Sequence, residues 1–354
     1  MAKKLMKGSE AIAEAAIQAG CRYFFGYPIT PQNQIPEYMS RRMPQVDGCF
    51  LQAESEVAAI NMVYGAAGAG ARVMTSSSSP GISLKQEGIS YIACAELPCL
   101  ICNIVRTGPG LGGIQPSQGD YFQATKGGGH GDYRLVVLAP SSVQEAADMV
   151  SLGFDIADDY RIPVMLLGDG MIGQMMEPVE FGVHEKRELP KKDWACTGWD
   201  GKSRKRAIIN SLYIEPEEMK VVADRLAERY ELIKRNETRV EEFMMDDAEY
   251  CIAAYGTTAR IAKSAVKKAR AKGIKAGVIR PITVWPFPSE AYAKAADKVK
   301  VFLGVEMSAG QMVEDVRLAV NGKKPVHFLG VMGGYVPTQA QMVAKLEEIA
   351  KEGK

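Results

Sequence analysis

Three short stretches of the sequence carry side chains able to do chemistry. In Gln52-Ala53-Glu54-Ser55-Glu56-Val57, Glu56 shares a helical face with Ile60 and Val63, at i+4 and i+7, so its carboxylate starts on the apolar side, whereas Glu54 lies off that face. A carboxylate turned toward a core is costly unless paired, so Glu56 either hydrogen-bonds a partner or resists ionisation. The plainer reading is a first-turn acid favoured by the helix dipole. In Tyr27-Pro28-Ile29-Thr30-Pro31, two prolines hold the Thr30 hydroxyl in one place. It is either an N-cap with Pro31 at the first helical position or a donor facing a substrate. In Arg106-Thr107-Gly108-Pro109-Gly110, a guanidinium emerges from an apolar strand. Its fork suits bidentate capture of a carboxylate, or a salt bridge to a loop acid such as Asp120.

Other signals fall short of a site. Cys99 and Cys102 form a C-x-x-C inside an apolar run, and with no second pair or nearby His they read as core thiols. Gly168-Asp169-Gly170 begins a diphosphate and magnesium motif, yet no Asn follows between Gly170 and Asn210, so it reads as a turn. The glycines at 108, 110, 112 and 113 give no G-x-G-x-x-G at a strand-to-helix junction, and there is no Walker A loop. A G-x-S-x-G elbow is missing, and none of His130, His184 and His327 stands beside a candidate nucleophile.

The elements that must position these residues alternate. Helical patterns open at Ser9, read as an N-cap, at Thr30, at Ser55 and at Ser142, where Ser142-Val-Gln-Glu145 is a capping box. Between them, Arg22–Gly26, Cys49–Gln52, Arg72–Thr75, Pro98–Val105, Leu135–Ala139 and Pro163–Leu167 read as strands. Continuous apolar strands between helices predict a doubly wound α/β domain with a parallel sheet. From about Glu177 to Asp247 the pattern yields to charge, including Lys202–Arg206 and a long helix from Pro216. This predicts a connector with solvated charged faces. Strands at Tyr250–Tyr255, Ala276–Arg280, Val299–Val305 and Pro325–Gly330 then predict a smaller parallel α/β domain. Charge balance, 43 Lys plus Arg against 42 Asp plus Glu in 354 residues, leaves no footprint for nucleic acid or an anionic membrane. Seven scattered cysteines, no apolar run near the ~18 residues of a membrane span and no secretory signal predict a soluble, cytoplasmic chain.

The motifs together resemble the 2-oxoacid:ferredoxin oxidoreductases. Gly-Tyr-Pro-Ile-Thr-Pro from Gly26, Glu-x-Glu-x-Ala-Ala from Glu54, Ser-Ser-Pro-Gly from Ser78, the Arg106 loop followed by Pro116-Ser-Gln-Gly-Asp120, and Pro140-Ser-Ser-Val-Gln-Glu145 occur in the same order in that family. The resemblance is strongest to the branched-chain (2-oxoisovalerate) type. It implies a thiamine-diphosphate-fold pyrimidine-binding domain over 1–180, a charged connector over 181–247 and a transketolase C-terminal-like domain over 248–354.

The resemblance also implies roles. Glu56 would hydrogen-bond the aminopyrimidine ring of thiamine diphosphate and favour its imino tautomer. Tyr27, Pro28, Ile29 and Ser77 would line the cofactor, Thr30 would lie beside the substrate carbonyl, and Arg106 would pair with the 2-oxoacid carboxylate. The diphosphate and its Mg2+ would sit on a diphosphate-binding-domain subunit carrying the complete Gly-Asp-Gly and Asn motif. Gamma-type and ferredoxin-like subunits would complete the complex, with [4Fe-4S] clusters on partners, ferredoxin as acceptor and coenzyme A as co-substrate. Ser76 to Ser79 replaces the family's mixed Thr/Ser stretch. The competing reading is a noncatalytic α/β subunit that binds a small anion or regulates.

Overall fold

The computed structural model describes residues 3–182, 187–199, 201–202 and 205–352. His184 and two residues of the basic Lys202–Arg206 run, 203 and 204, lie outside them. In chain order the strands are β1 (Lys4–Lys7), β2 (Tyr23–Gly26), β3 (Cys49–Gln52), β4 (Val73–Ser77), β5 (Cys99–Val105), β6 (Val136–Leu138), β7 (Pro163–Asp169), β8 (Met176–Val179), β9 (Val240–Phe243), β10 (Tyr250–Ala253), β11 (Ala276–Pro281), β12 (Thr283–Trp285), β13 (Val301–Glu306) and β14 (Val326–Gly330). The helices are α1 (Gly8–Gln18), α2 (Gln34–Arg42), α3 (Glu56–Gly68), α4 (Pro80–Cys94), α5 (Tyr121–Thr125), α6 (Val143–Tyr160), α7 (Gly170–Gln174), α8 (Pro216–Glu237), α9 (Gly256–Ala271), α10 (Ser289–Ala296), α11 (Met312–Val320) and α12 (Gln339–Glu352).

The continuous apolar runs become the central strands: β5 and β7 are buried along their whole length. The first sheet runs β3-β2-β4-β5-β7-β6-β12. Helices α1, α2 and α6 cover one face, α3 and α4 the other. The chain leaves β2 toward the β3 edge, then returns past it to β4 and on to β5, so the winding reverses between β2 and β4. The second sheet runs β14-β13-β10-β11-β9, parallel except for β9. On one side it packs α9 and α12. Its other side joins the first sheet's α3 and α4 core through Cys251, Ala253, Ile279 and Phe302.

Several expectations are corrected. Ser9 does not cap α1: the helix starts at Gly8, no side chain caps it, and Ser9 is buried. The reason is close packing, since a Cβ at position 8 would lie 1.8 Å from the Ile172 carbonyl oxygen. Only half of the capping box forms. Ser142 Oγ accepts from the Glu145 N–H at 3.2 Å, but the Glu145 carboxylate accepts from the Ser141 N–H at 2.8 Å and from Arg280 at 2.6 Å. The connector's charges are not all solvated. Arg225 and Arg229 pair with the buried Glu96, and Arg187 with the buried Glu237 at 2.7 Å. These pairs clamp α8, whose Val222, Leu226, Tyr230 and Ile233 enter the core. β12 was not foreseen. It leaves the second half of the chain to close the first sheet, antiparallel to β6. Among the described residues no helix is long and apolar enough to cross a membrane.

Candidate active site

Ligands of open α/β sheets gather beyond the carboxyl ends of the strands, where the winding reverses. The residues singled out in the sequence converge there: β2 runs into Tyr27–Pro31, β3 into Glu54–Glu56, β4 into Ser78–Pro80 and β5 into Arg106.

Glu56 opens α3, a helix capped by Ser55 Oγ, which accepts from the Ala58 N–H at 3.2 Å. The Glu56 side chain is buried, and its carboxylate has no hydrogen-bonded or ion-paired partner among the described residues. The expected partner is therefore not supplied at hydrogen-bond distance by any described residue. Glu54 is exposed, as its position off the apolar face requires. Gly81 fixes where the Glu56 carboxylate lies: a Cβ there would meet Ser77 Oγ at 2.1 Å and Glu56 Oε1 at 2.6 Å. The carboxylate and the Ser77 hydroxyl thus pack together directly against the Gly81 backbone, an approach that any side chain at position 81 would block. The hydroxyls of Ser77 and Ser78 are buried without a partner, a state that native proteins rarely leave unexplained.

Thr30 is exposed, and its hydroxyl accepts from Asn33 Nδ2 at 3.3 Å. It is not an N-cap. α2 begins at Gln34, and the Thr30–Gln32 segment instead folds as a turn in which the Gln32 N–H donates to the Ile29 carbonyl at 3.1 Å. Tyr27 and Pro28 are exposed and Ile29 half-buried. The Arg106 guanidinium donates from Nη1 to the Thr30 carbonyl at 3.0 Å and from Nη2 to the Leu111 carbonyl at 2.8 Å. Its Nε is buried without a partner. The salt bridge to Asp120 does not form. Asp120 accepts from Ser79 Oγ at 2.7 Å and Asn103 Nδ2 at 2.9 Å, and burial pushes its carboxyl above the usual range. Arg106 is therefore a buried cation held by two neutral carbonyls.

Three further residues organise the site and were missed in the sequence. Ser76 Oγ donates to Gln32 Oε1 at 2.6 Å, and Gln32 Nε2 donates to the Tyr27 carbonyl at 3.3 Å, tying the β4 end to the β2 loop. Lys85 lies fully buried beneath both strand ends, its Nζ donating to Thr75 Oγ1 at 2.6 Å and to the Ser76 carbonyl at 3.1 Å. Its position was legible, since it shares the α4 stripe of Ile82, Ile89 and Ile92 at helical spacing. Gln118 locks the Arg106 loop region to the second domain. Its Nε2 donates to the Tyr255 carbonyl at 2.9 Å, and its Oε1 accepts from the Met307 N–H at 2.9 Å. Cys99 and Cys102 are buried core thiols, and Asp169 of the Gly-Asp-Gly turn caps α7 through the Met171 N–H at 2.8 Å.

Both the sequence and the fold of the chain have counterparts among known proteins. Residues 14–241 match the family model described as pyruvate flavodoxin/ferredoxin oxidoreductase, thiamine diphosphate-binding, and residues 248–342 match pyruvate:ferredoxin oxidoreductase core domain II. The chain is 49% identical over 350 residues, 99% of each chain, to ketoisovalerate oxidoreductase subunit VorB of Methanothermobacter thermautotrophicus. It is 36% identical over 358 residues, 94% of each chain, to that organism's 2-oxoglutarate synthase subunit KorA. A solved 2-oxoglutarate:ferredoxin oxidoreductase from Magnetococcus marinus, with 2-oxoglutarate, coenzyme A and succinyl-CoA bound, superposes with a TM-score of 0.88 at 25% identity. That match covers 98% of this chain and 65% of the solved one, so the chain spans about two-thirds of its length.

Proposed function

The chain belongs to the pyruvate flavodoxin/ferredoxin oxidoreductase family of thiamine-diphosphate-binding proteins, and from that premise we propose that it is the pyrimidine-binding subunit of an enzyme that oxidatively decarboxylates branched-chain 2-oxoacids. The products would be the acyl-CoA and carbon dioxide, with electrons passing to ferredoxin. The observation that carries the reading is the buried Glu56 side chain, without a hydrogen-bonding partner among the described residues, packed with the orphaned Ser77 hydroxyl over Gly81. Its branched-chain preference rests on the likeness to the ketoisovalerate subunit.

The site fits the cofactor by its chemistry. Orphaned hydroxyls and a carboxylate without a hydrogen-bonding partner among the described residues suit the edge of a heteroaromatic ring with nitrogen donors and acceptors. Glu56 would hold the aminopyrimidine edge, with Ser77 and the Tyr27–Ile29 backbone beside it. Bound there, the cofactor supplies a carbon nucleophile and an electron sink. Glu56 would hold and return the proton that this chemistry moves. Arg106 would present its guanidinium to the 2-oxoacid carboxylate while the two carbonyls fix its plane, and Thr30, whose carbonyl is one of them, would lie next to the reacting carbonyl. Exposed Tyr27, Leu51, Val57 and Leu84 stand on the same sheet edge, a rim we assign to a diphosphate-binding-domain subunit that brings Mg2+. Gamma-type and iron–sulfur subunits with [4Fe-4S] clusters would complete the electron path.

The test is to isolate the chain anaerobically with its companions and follow coenzyme A-dependent viologen reduction by 2-oxoisovalerate. Activity should require thiamine diphosphate, and Glu56→Gln should fold and assemble yet nearly abolish turnover. A complex that reduces dye equally well with Gln at position 56 would remove Glu56 from the reaction, and no activity with any 2-oxoacid would favour a noncatalytic binding subunit.

A further inference from the structure

We infer that Ser79 and Asp120 are positioning residues for the 2-oxoacid, acting together to fix the main chain of Arg106. This rests on the reading of Arg106 as the residue that holds the oxoacid carboxylate, and deepens it. Ser79 lies between β4 and α4 in the Ser-Ser-Pro-Gly stretch, and Asp120 ends the Pro116-Ser-Gln-Gly-Asp stretch 41 residues later. The Ser79 hydroxyl accepts from the Arg106 N–H at 3.1 Å and donates to Asp120 Oδ2 at 2.7 Å, with the Arg106 carbonyl as a second acceptor at 3.2 Å. One short side chain therefore grips both backbone groups of Arg106.

Asn103, fully buried on β5, closes the cluster into a ring. Its Oδ1 accepts from the Ser79 N–H at 3.2 Å, and its Nδ2 donates to the same Asp120 oxygen at 2.9 Å. The N–H needs an acceptor and the carboxylate a donor, so only this orientation of the amide satisfies both. The segment before Asp120 is anchored in turn on the second domain. The Gly119 carbonyl accepts from Gln311 Nε2 at 2.7 Å, and Gln118 Oε1 accepts from the Met307 N–H. Arg106 thus has its guanidinium set by the Thr30 and Leu111 carbonyls and its backbone set by Ser79. The backbone of Ser79 is strained in this role. Its φ of 20° with ψ of −78° is a conformation that L-residues rarely adopt, and glycine is the ordinary occupant of such a position. A serine persists there when the surroundings require its side chain.

Ser79→Ala and Ser79→Gly, compared in the assembled complex, separate the hydroxyl from the fold: both remove the hydroxyl, and only glycine relieves the backbone. The glycine variant should melt higher than the alanine variant. Both should nevertheless raise KM for 2-oxoisovalerate about tenfold, with kcat within about twofold and the dissociation constant of thiamine diphosphate unchanged, because a carboxylate anchor acts alike on substrate and transition state. A KM that recovers with stability in the glycine variant, or one equal to the wild type in both, overturns the inference. If neither assembles, Asp120 gives the same answer. Asp120→Asn keeps an oxygen for Ser79 and Asn103 and should leave KM within about threefold, whereas Asp120→Ala should raise it about tenfold. Equal KM values in those two variants overturn the inference. Amide hydrogen exchange over residues 106–113 reads the clamp without turnover. It should quicken about tenfold in Ser79→Gly and in Asp120→Ala, and unchanged exchange shows that the cluster does not hold Arg106. If the wild-type complex oxidises no 2-oxoacid, the functional reading fails, while the exchange comparison still decides whether Ser79 fixes the Arg106 backbone.

Discussion

One added methyl group tests the reasoning about the site directly. Gly81 is the second residue of α4, after Pro80, and its backbone suits any L-residue. Alanine there would ordinarily favour the helix by up to about 1 kcal/mol. The new Cβ, however, would lie 2.1 Å from Ser77 Oγ, 2.6 Å from Glu56 Oε1 and 3.0 Å from Glu56 Cγ, whereas ordinary contact begins at 3.4 Å. Ser77 must retreat by about 1.3 Å and the Glu56 oxygen by about 0.8 Å to reach that spacing. Both are ends of side chains that can turn, so the fold should survive and stability should change by no more than about 1 kcal/mol either way. Catalysis has no such latitude, because a misplacement of about 1 Å at a reacting group costs on the order of 100-fold, or about 2.7 kcal/mol of barrier. Gly81→Ala should therefore give an assembled complex of near-normal denaturant midpoint, weakened thiamine diphosphate binding and a kcat for 2-oxoisovalerate lowered about 100-fold. Dye reduction, cofactor titration and urea unfolding measure the three quantities. A kcat within twofold of the wild type would refute the assignment of the Glu56–Ser77 pair to the cofactor.

Two other changes probe the supports of the site. Arg106→Ala removes a charge-assisted bond to the oxoacid carboxylate, about 1.5–3 kcal/mol, and should lower kcat/KM roughly 10- to 150-fold for every 2-oxoacid. Lysine should not rescue it, since a single ammonium cannot hold the Thr30 and Leu111 carbonyls and a carboxylate at once. Unchanged kcat/KM values would exclude Arg106 from substrate binding. Gln118→Ala strands the buried Met307 N–H, while the Tyr255 carbonyl keeps its bond from Thr258 Oγ1, and should cost about 1–3 kcal/mol in urea unfolding. A loss under about 0.5 kcal/mol would show that the interdomain lock is redundant.

The sequence spoke clearly where one physical rule acted alone. β5 and β7 are buried on both faces, so their runs of apolar residues read correctly as parallel strands. Glu56 lay on the apolar face of its helix by spacing, and it is buried. Signals failed where tertiary packing competed with a local rule. Thr30 has the residue type of a cap, but the turn back to Ile29 delays α2 until Gln34. Ser9 lost its cap because α1 packs directly on the Ile172 backbone. Asp120 was available to Arg106 in sequence terms, yet Ser79 and Asn103 hold it first. Lys85 carried a usable signal, a cation on an otherwise apolar stripe, but its acceptors, Thr75 Oγ1 and the Ser76 carbonyl, come from a strand that the helix pattern does not reveal.

The strand β12 sets how this chain can be divided. Its two halves match separate family models that meet between residues 241 and 248, as though the polypeptide could be cut there. Yet residues Thr283–Trp285 hem the β6 edge of the first sheet, and β9, from before the junction, hems β11 of the second. Each half wears the other's border. A fragment stopped at the junction would bare the β6 backbone donors and acceptors, an open template for pairing with its neighbours. The pieces should therefore precipitate singly and become soluble only when made together, trading strands across the cut.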